Sequence, residues 1–333
     1  MMKKWIGSFG IGLALLASAD DRIVPINEIF EPPPPIDINY AKVAVLQWAG
    51  APTPVEVTPE VAEAFKQSNR DAIARYVREA AGKGAEWVVT PEFSIVGYPD
   101  IPDVPPEEDE FRNREDIRPY VETVPGPSTD FFGALARELK VVIHIGLAEV
   151  DPVTDQYFNT VVALGKDGAI LAKYRKINLY QGETKFLSRG TEIATYDGEF
   201  GKVAIIICAD VYSLDPMSKY RALGAKIYAL STSWAQMNTG MGHFTRAARS
   251  ASAYLLAANQ IYFPDSGVIN PDGSTQSHIR QSSGLAYGYL PRVKPVEPSP
   301  VPPVGPPAPP VDPTPKPTPD GAEIPKNAGP KKD

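Results

Sequence analysis

The sequence predicts an α/β layered fold with mixed sheets, on three observations. Apolar runs of strand length alternate with segments of helical periodicity along most of the chain. Hairpin signals interrupt that alternation, which argues against a purely parallel sheet. At 333 residues, 43% hydrophobic and 22% charged, the chain has the length and composition of a globular protein with one large core or two ordinary ones.

Lys42-Val43-Ala44-Val45-Leu46-Gln47-Trp48 reads as the first strand. Thr58-Pro59-Glu60 then starts a helix, with Thr58 as N-cap and Pro59 in the first turn. Val61, Ala64, Phe65, Ile73 and Val77 continue it at helical spacing up to Gly82. Trp87-Val88-Val89 forms a short strand running into Thr90-Pro91-Glu92. Between Asp100 and Pro119 the chain turns polar and acidic, through Glu107-Glu108-Asp109-Glu110, as expected of a solvated loop or a lid. Pro125-Gly126-Pro127-Ser128 opens a helix through Leu139, and Val141 to Val150 is a strand with Glu149 near its end. Phe158–Leu164 and Ala169–Arg175 flank Gly165-Lys166-Asp167-Gly168, a hairpin signal, and Lys176 lies at the end of the second arm. After the turn-like Asp197-Gly198-Glu199-Phe200-Gly201, the β-branched run Val203–Ile207 is a buried strand that stops at Cys208. Helices over Asp215–Leu223 and His243–Ala253 alternate with strands over Lys226–Leu230 and Tyr254–Ala258. Gly267 to Ser274 begins a last hairpin.

The ends differ in character. Residues 1–19 have the form of a secretory signal: Lys3 and Lys4, an apolar stretch from Trp5 to Leu16, and the small residues Ala17-Ser18-Ala19. The stretch is short for a bilayer span, so an uncleaved anchor is the lesser alternative and a periplasmic or secreted location is expected. Residues 20–39 read as a proline-rich linker, 40–290 as the folded domain, and 291–333 as a disordered proline-rich tail that would serve as a spacer or contact envelope components. A net charge of −7 argues against nucleic acid as a partner. No integral membrane domain is expected. The single cysteine excludes an intramolecular disulfide, and the three histidines, at 144, 243 and 278, are too far apart for a local metal motif, so no metal or other cofactor is expected.

Three apolar runs each deliver one reactive side chain at the end: Glu92, Lys176 and Cys208. Taken singly, a free cysteine is most often an inert core residue, and strand-end Glu and Lys are most often solvated. Together they form a chemical set. A cysteine nucleophile needs a base for its proton and a positive group for the oxyanion formed on attack. A desolvated carboxylate supplies the base and a lysine the charge. Glu149, at another strand end, is placed to orient Lys176 and keep it charged.

Thr90-Pro91-Glu92-Phe93-Ser94-Ile95-Val96-Gly97-Tyr98-Pro99, Lys173-Tyr174-Arg175-Lys176-Ile177-Asn178-Leu179 and Ile207-Cys208-Ala209-Asp210 occur in this order. They resemble the three signature segments of the nitrilase, or carbon–nitrogen hydrolase, superfamily. Gln47, Glu149, Tyr157-Phe158-Asn159-Thr160, Ser231-Thr232-Ser233-Trp234 and Ala257-Ala258-Asn259 extend the likeness over about residues 40–285. The resemblance implies a four-layer α-β-β-α sandwich with a Glu-Lys-Cys triad. It makes Glu92 the general base and later acid, Lys176 the oxyanion stabiliser, Cys208 the nucleophile and Glu149 the supporting glutamate. Ala209, Asp210 and Trp234 become the expected substrate-binding positions. Asn178-Leu179-Tyr180, Glu183, Phe186 and Asp215-Pro216 look most like the pantetheinase and biotinidase branch. Small residues in Arg246-Ala247-Ala248-Arg249-Ser250 depart from the family's helix and leave a homodimer open.

The expected function is therefore an exported hydrolase that cleaves a small linear amide through a cysteine thioester. Nitrile hydrolysis is disfavoured, because nitrilases place a Trp-Glu pair after the cysteine and this chain has Ala209-Asp210. An N-acyltransferase using the same triad, and a non-catalytic envelope-associated binding protein, are the alternatives.

Overall fold

A computed structural model describes residues 39–99, 110–234, 240–261, 265–280 and 282–293, with Pro32, Pro34 and Pro35. The expected signal segment, most of the 20–39 linker, residues 100–109 and the tail from 294 onward lie outside the described residues. The chain divides into units at Val293 and Lys294.

Strand β1 (Tyr40–Gln47) sets the layering through its alternation. Ala44 and Leu46 face one way, into a cluster with Ile73, Val77 and Phe132. Val43 and Val45 face the other way, against Val203, Ala229 and Leu256. Helix α1 (Pro59–Gly82), which supplies Ile73 and Val77, begins at Thr58, whose Oγ1 accepts the Val61 N–H at 3.4 Å. Then come β2 (Ala85–Val89), the one-turn α2 (Arg114–Ile117), α3 (Pro127–Leu139) and β3 (Val142–Val150). The hairpin β4 (Tyr157–Leu164) and β5 (Ile170–Arg175) follows. The order of the first sheet is β12-β1-β2-β3-β4-β5, where β12 is Gly284–Pro291.

The second half repeats the plan. Strands β6 (Thr195–Gly198), β7 (Gly201–Ile207), β8 (Ile227–Thr232), β9 (Tyr254–Asn259), β10 (Ser266–Ile269) and β11 (Thr275–Ile279) form the second sheet, ordered β11-β10-β9-β8-β7-β6. Helices α4 (Leu214–Ala222) and α5 (Gly240–Ala251) cover its outer face, with Tyr220, Phe244 and Ala248 on Ala204 and Ile206. The remaining inward residues of β7, Ile205 and Ile207, meet Val161, Ala163 and Tyr174 of the first sheet. The result is a four-layer α-β-β-α sandwich. Each fully buried aliphatic side chain adds roughly 1.5–3 kcal/mol of driving force. In each sheet the parallel pairs, β1/β2/β3 and β7/β8/β9, are central and antiparallel strands flank them.

Two strands had no counterpart in the sequence reading. One, β12, is broken in pattern by Gly284 and Gly288, and a side chain at Gly288 would press on Val268 of β10. The other, β6, is short and half-exposed. Of the segment expected to be an acidic loop, residues 110–119 are described: Phe111 and Ile117 are fully buried there, and Asn113 caps α2 through its Oδ1. Among the described residues no helix is long and apolar enough to cross a membrane.

Candidate active site

The parallel strands β2, β7 and β8 end on the same side of the sandwich, where reactive groups in α/β sheets collect. Beyond β2 the backbone is pinned to β3, with Thr90 N donating to His144 O at 3.1 Å and Ile95 N to Gly146 O at 3.1 Å. Gly146 must lack a side chain, because a Cβ there would meet the backbone of Pro91 and Phe93. Gln260 Nε2 donates to the Glu92 carbonyl at 2.7 Å. These contacts turn the Glu92 side chain inward, and it is 1% exposed.

Its carboxylate is fully engaged. Oε1 accepts from Lys176 Nζ at 2.7 Å and from Asn159 Nδ2 at 2.7 Å, and Oε2 accepts from the Ser233 N–H at 2.8 Å. Lys176, just past β5, is positioned by its own N–H to Asn159 O at 2.8 Å and by Gly190 N to its carbonyl at 2.8 Å. Its ammonium also donates to Glu183 Oε2 at 2.6 Å. Glu183 accepts in addition from Asn159 Nδ2 at 2.8 Å and from Tyr180 N at 2.7 Å. One ammonium is thus held between two buried carboxylates, and the Asn159 amide bridges the same pair.

Cys208 follows β7 directly and opens a 3-10 turn over Cys208–Tyr212. Its φ of 45° is left-handed, a conformation that costs a residue with a Cβ about 1–3 kcal/mol. The Ser233 peptide connects it to the charged cluster: its N–H holds Glu92, and its carbonyl oxygen lies 3.8 Å from Cys208 Sγ.

Burial chiefly raises the Glu92 carboxyl above the ordinary range, with Lys176 opposing. For Lys176 burial alone would favour the neutral amine, but the Glu183 and Glu92 carboxylates outweigh it and hold the ammonium charged. Burial and the Glu92 charge push the Cys208 thiol up to about 12. At rest the thiol therefore stays protonated beside a charged ammonium, with no standing thiolate.

Two expected roles change. Glu149 does not support Lys176. Its oxygens accept from Thr160 Oγ1 at 2.7 Å, Lys173 Nζ at 2.6 Å and Arg175 at 2.6 and 3.0 Å. Alternation along β5 puts Lys173 and Arg175 on its face, whereas Lys176 meets Glu183 instead. Asp210 is not open to substrate. It is fully buried, and its carboxylate accepts from Tyr174 Oη at 2.8 Å, Ile207 N at 3.1 Å, and Asn178 N and Nδ2 at 3.1 and 2.8 Å. It holds the cysteine turn in place. Trp234, an expected substrate-binding position, is buried, packed edge-on to Phe244 at 5.3 Å and Tyr212 at 5.7 Å, in the cluster that also touches Cys208. Ala209, next to Cys208 in the chain, is buried. Sequence reasoning gave no role to Glu183, Asn159 or Ser233, although all three lie in stretches that carried the resemblance. Among the described residues no cluster of His, Cys, Asp and Glu is arranged to hold a metal.

Fold and site together define the class: an α-β-β-α sandwich with a carboxylate, an ammonium and a thiol gathered at the strand ends. The chain belongs to the carbon-nitrogen hydrolase family, whose profile matches residues 42–294, and with it to the nitrilase superfamily. It is similar to a pantetheinase of Canis lupus familiaris, 29% identical over 49% of this chain and 35% of that protein. It is also similar to the omega-amidase NIT2 of Homo sapiens, 26% identical over 69% of this chain and 77% of that one. The chain thus spans about a third of the dog pantetheinase. The crystal structure of Saccharomyces cerevisiae Nit3 shares the fold with a TM-score of 0.62 and 22% identity, covering 76% of this chain and 90% of that one.

Proposed function

We propose that this protein is an exported amidase that hydrolyses a small linear amide through a thioester on Cys208, with Glu92 and Lys176 as its catalytic partners. The observation that carries this reading is the buried Glu92–Lys176 pair at 2.7 Å, joined to Cys208 through the Ser233 peptide. Glu92 takes the thiol proton as Sγ forms its bond to the amide carbon. That proton moves at the moment of attack, because a thiol at about 12 holds little thiolate at neutral pH. The carbonyl electron pair moves onto oxygen, and the Lys176 ammonium stabilises the oxyanion. Glu92 then returns its proton to the nitrogen, the C–N bond breaks, and ammonia or an amine departs. Water attacks the thioester with Glu92 again as base, releasing the acid and restoring the thiol. Lys176 acts as a fixed charge rather than a proton carrier, because two carboxylates keep it protonated.

Export is supported by the basic, apolar and small-residue order of residues 1–19. Intact mass after brief incubation with an amide panel tests the chemistry. A thioester adduct on wild type, absent from Cys208→Ala and accompanied by ammonia release, is the expected result. Transfer of the acyl group to an added amine in preference to water would make the protein an acyltransferase. Absence of any adduct or release across the panel would point to a binding protein. The N-terminus of protein recovered from the cell exterior, expected near Asp20, tests export.

A further inference from the structure

A further carboxylate reaches the site from the loop before α2. Phe111 is fully buried, its ring 5.6 Å from Phe186 and 6.0 Å from Tyr120, and it anchors the neighbouring Glu110. The Glu110 carboxylate lies over Gly182, where any side chain would collide with it. Gly182 immediately precedes Glu183, the partner of Lys176. Glu110 is half-buried, and among the described residues none donates a hydrogen bond to it. Burial first, and then the Glu183 charge, push its carboxyl up to about 7; Lys176 and Lys185 oppose this, and Glu92 adds to it. Burial first, and then the neighbouring Glu92 and Glu183 carboxylates, raise the phenol of Tyr98 well above its ordinary value.

The charges there are unequal. Glu92, Glu183 and Glu110 face the single buried ammonium of Lys176, with Lys185 on the turn after Gly182. The first two carboxylates are saturated by Lys176, Asn159, Ser233 and Tyr180, so Glu110 is the acceptor left for an incoming molecule. An anionic arm would be repelled there, whereas an ammonium would gain a charge-assisted hydrogen bond.

We propose that Glu110 is a specificity-determining residue that accepts a hydrogen bond from a cationic amine on the substrate, so that the site prefers amino-amides to their neutral isosteres. This inference rests on the amidase reading, and binding measurements separate the two. Calorimetry on Cys208→Ala would compare β-alaninamide with butyramide, which replaces the ammonium by a methyl group. At about pH 8 the amino-amide is expected to bind roughly tenfold tighter, the scale of one hydrogen bond to a charge. That advantage should shrink towards about pH 6, as a carboxyl titrating near 7 becomes protonated. In Cys208→Ala/Glu110→Gln it should vanish, and in Cys208→Ala/Glu110→Asp, which keeps the charge, the pH dependence should persist. Equal binding of the two amides to Cys208→Ala, or a preference that survives Glu110→Gln, overturns the proposal. Turnover is read separately on the wild-type protein. If β-alaninamide binds selectively and neither it nor any other amide of the panel releases ammonia, the amidase reading fails while the role of Glu110 stands.

Discussion

Lys176 Nζ and Glu183 Oε2 stand 2.6 Å apart, both buried, with six loop residues between them in the chain. With Glu92 on its other side, the ammonium is balanced by two carboxylates, so the pair can hold one extra proton at low electrostatic cost. In the proposed mechanism, that is the state Glu92 passes through when it accepts the thiol proton.

The two glutamates at issue should separate cleanly on substitution. Glu183→Gln removes a charge that keeps Lys176 protonated and is expected to lower kcat by about 100-fold, the scale of losing one preorganised electrostatic group. Glu149→Gln touches Thr160, Lys173 and Arg175 instead. It should cost about 1–2 kcal/mol of stability and leave the pH–rate profile unmoved. Steady-state kinetics and urea melts on both variants check this, and a catalytic collapse in Glu149→Gln would refute the assignment.

Asp210 joins the end of β7 to Tyr174 and Asn178 across the sheets. Its removal in Asp210→Ala leaves several buried donors without an acceptor, at about 1–3 kcal/mol for each. Stability should drop by several kcal/mol, and kcat should fall because the turn carrying Cys208 loosens. A variant with near-normal melting temperature and activity would show that the hub is dispensable.

The left-handed backbone at Cys208 gives an unusual stability order. Glycine ordinarily destabilises relative to alanine by about 0.4–1 kcal/mol through the unfolded chain. Here relief of left-handed strain, about 1–3 kcal/mol, opposes that cost. Cys208→Gly is therefore expected to melt at or above Cys208→Ala, with both inactive. Comparative thermal melts decide it.

His144 links acid stability to burial. It is fully buried, its Nε2 lies 2.8 Å from Tyr196 Oη, and burial pushes its imidazole down to about 3. The unfolded chain protonates this residue near its ordinary value of about 6.5 while the folded protein resists. Its stabilisation is thus full above that pH and is lost as pH falls towards 3, at up to about 1.4 kcal/mol per pH unit. His144→Gln should flatten the fall in urea midpoint over that window. An unchanged slope would mean that other groups govern the acid limb.

Much of this architecture was legible along the chain. The cap at Thr58, the Gly165–Gly168 turn and the apolar run into Cys208 are local signals, and each marks an element that forms where expected. The same logic singled out Glu92, Lys176 and Cys208, because a side chain just past a buried strand is conspicuous in the pattern itself. Strand β12 was hidden because Gly284 and Gly288 erase its periodicity, and its partner β1 lies at the other end of the domain. The choice between Glu149 and Glu183 was equally out of reach. Glu149 had the conspicuous strand-end position, whereas Glu183 sits in a short turn with no periodic signature. The pairing of β3, β4 and β5 set Lys173 and Arg175 against Glu149, and the path of the loop after β5 brought Glu183 back onto the ammonium. Desolvation and charge pairing act between residues brought together through space, and local periodicity carries no record of that distance.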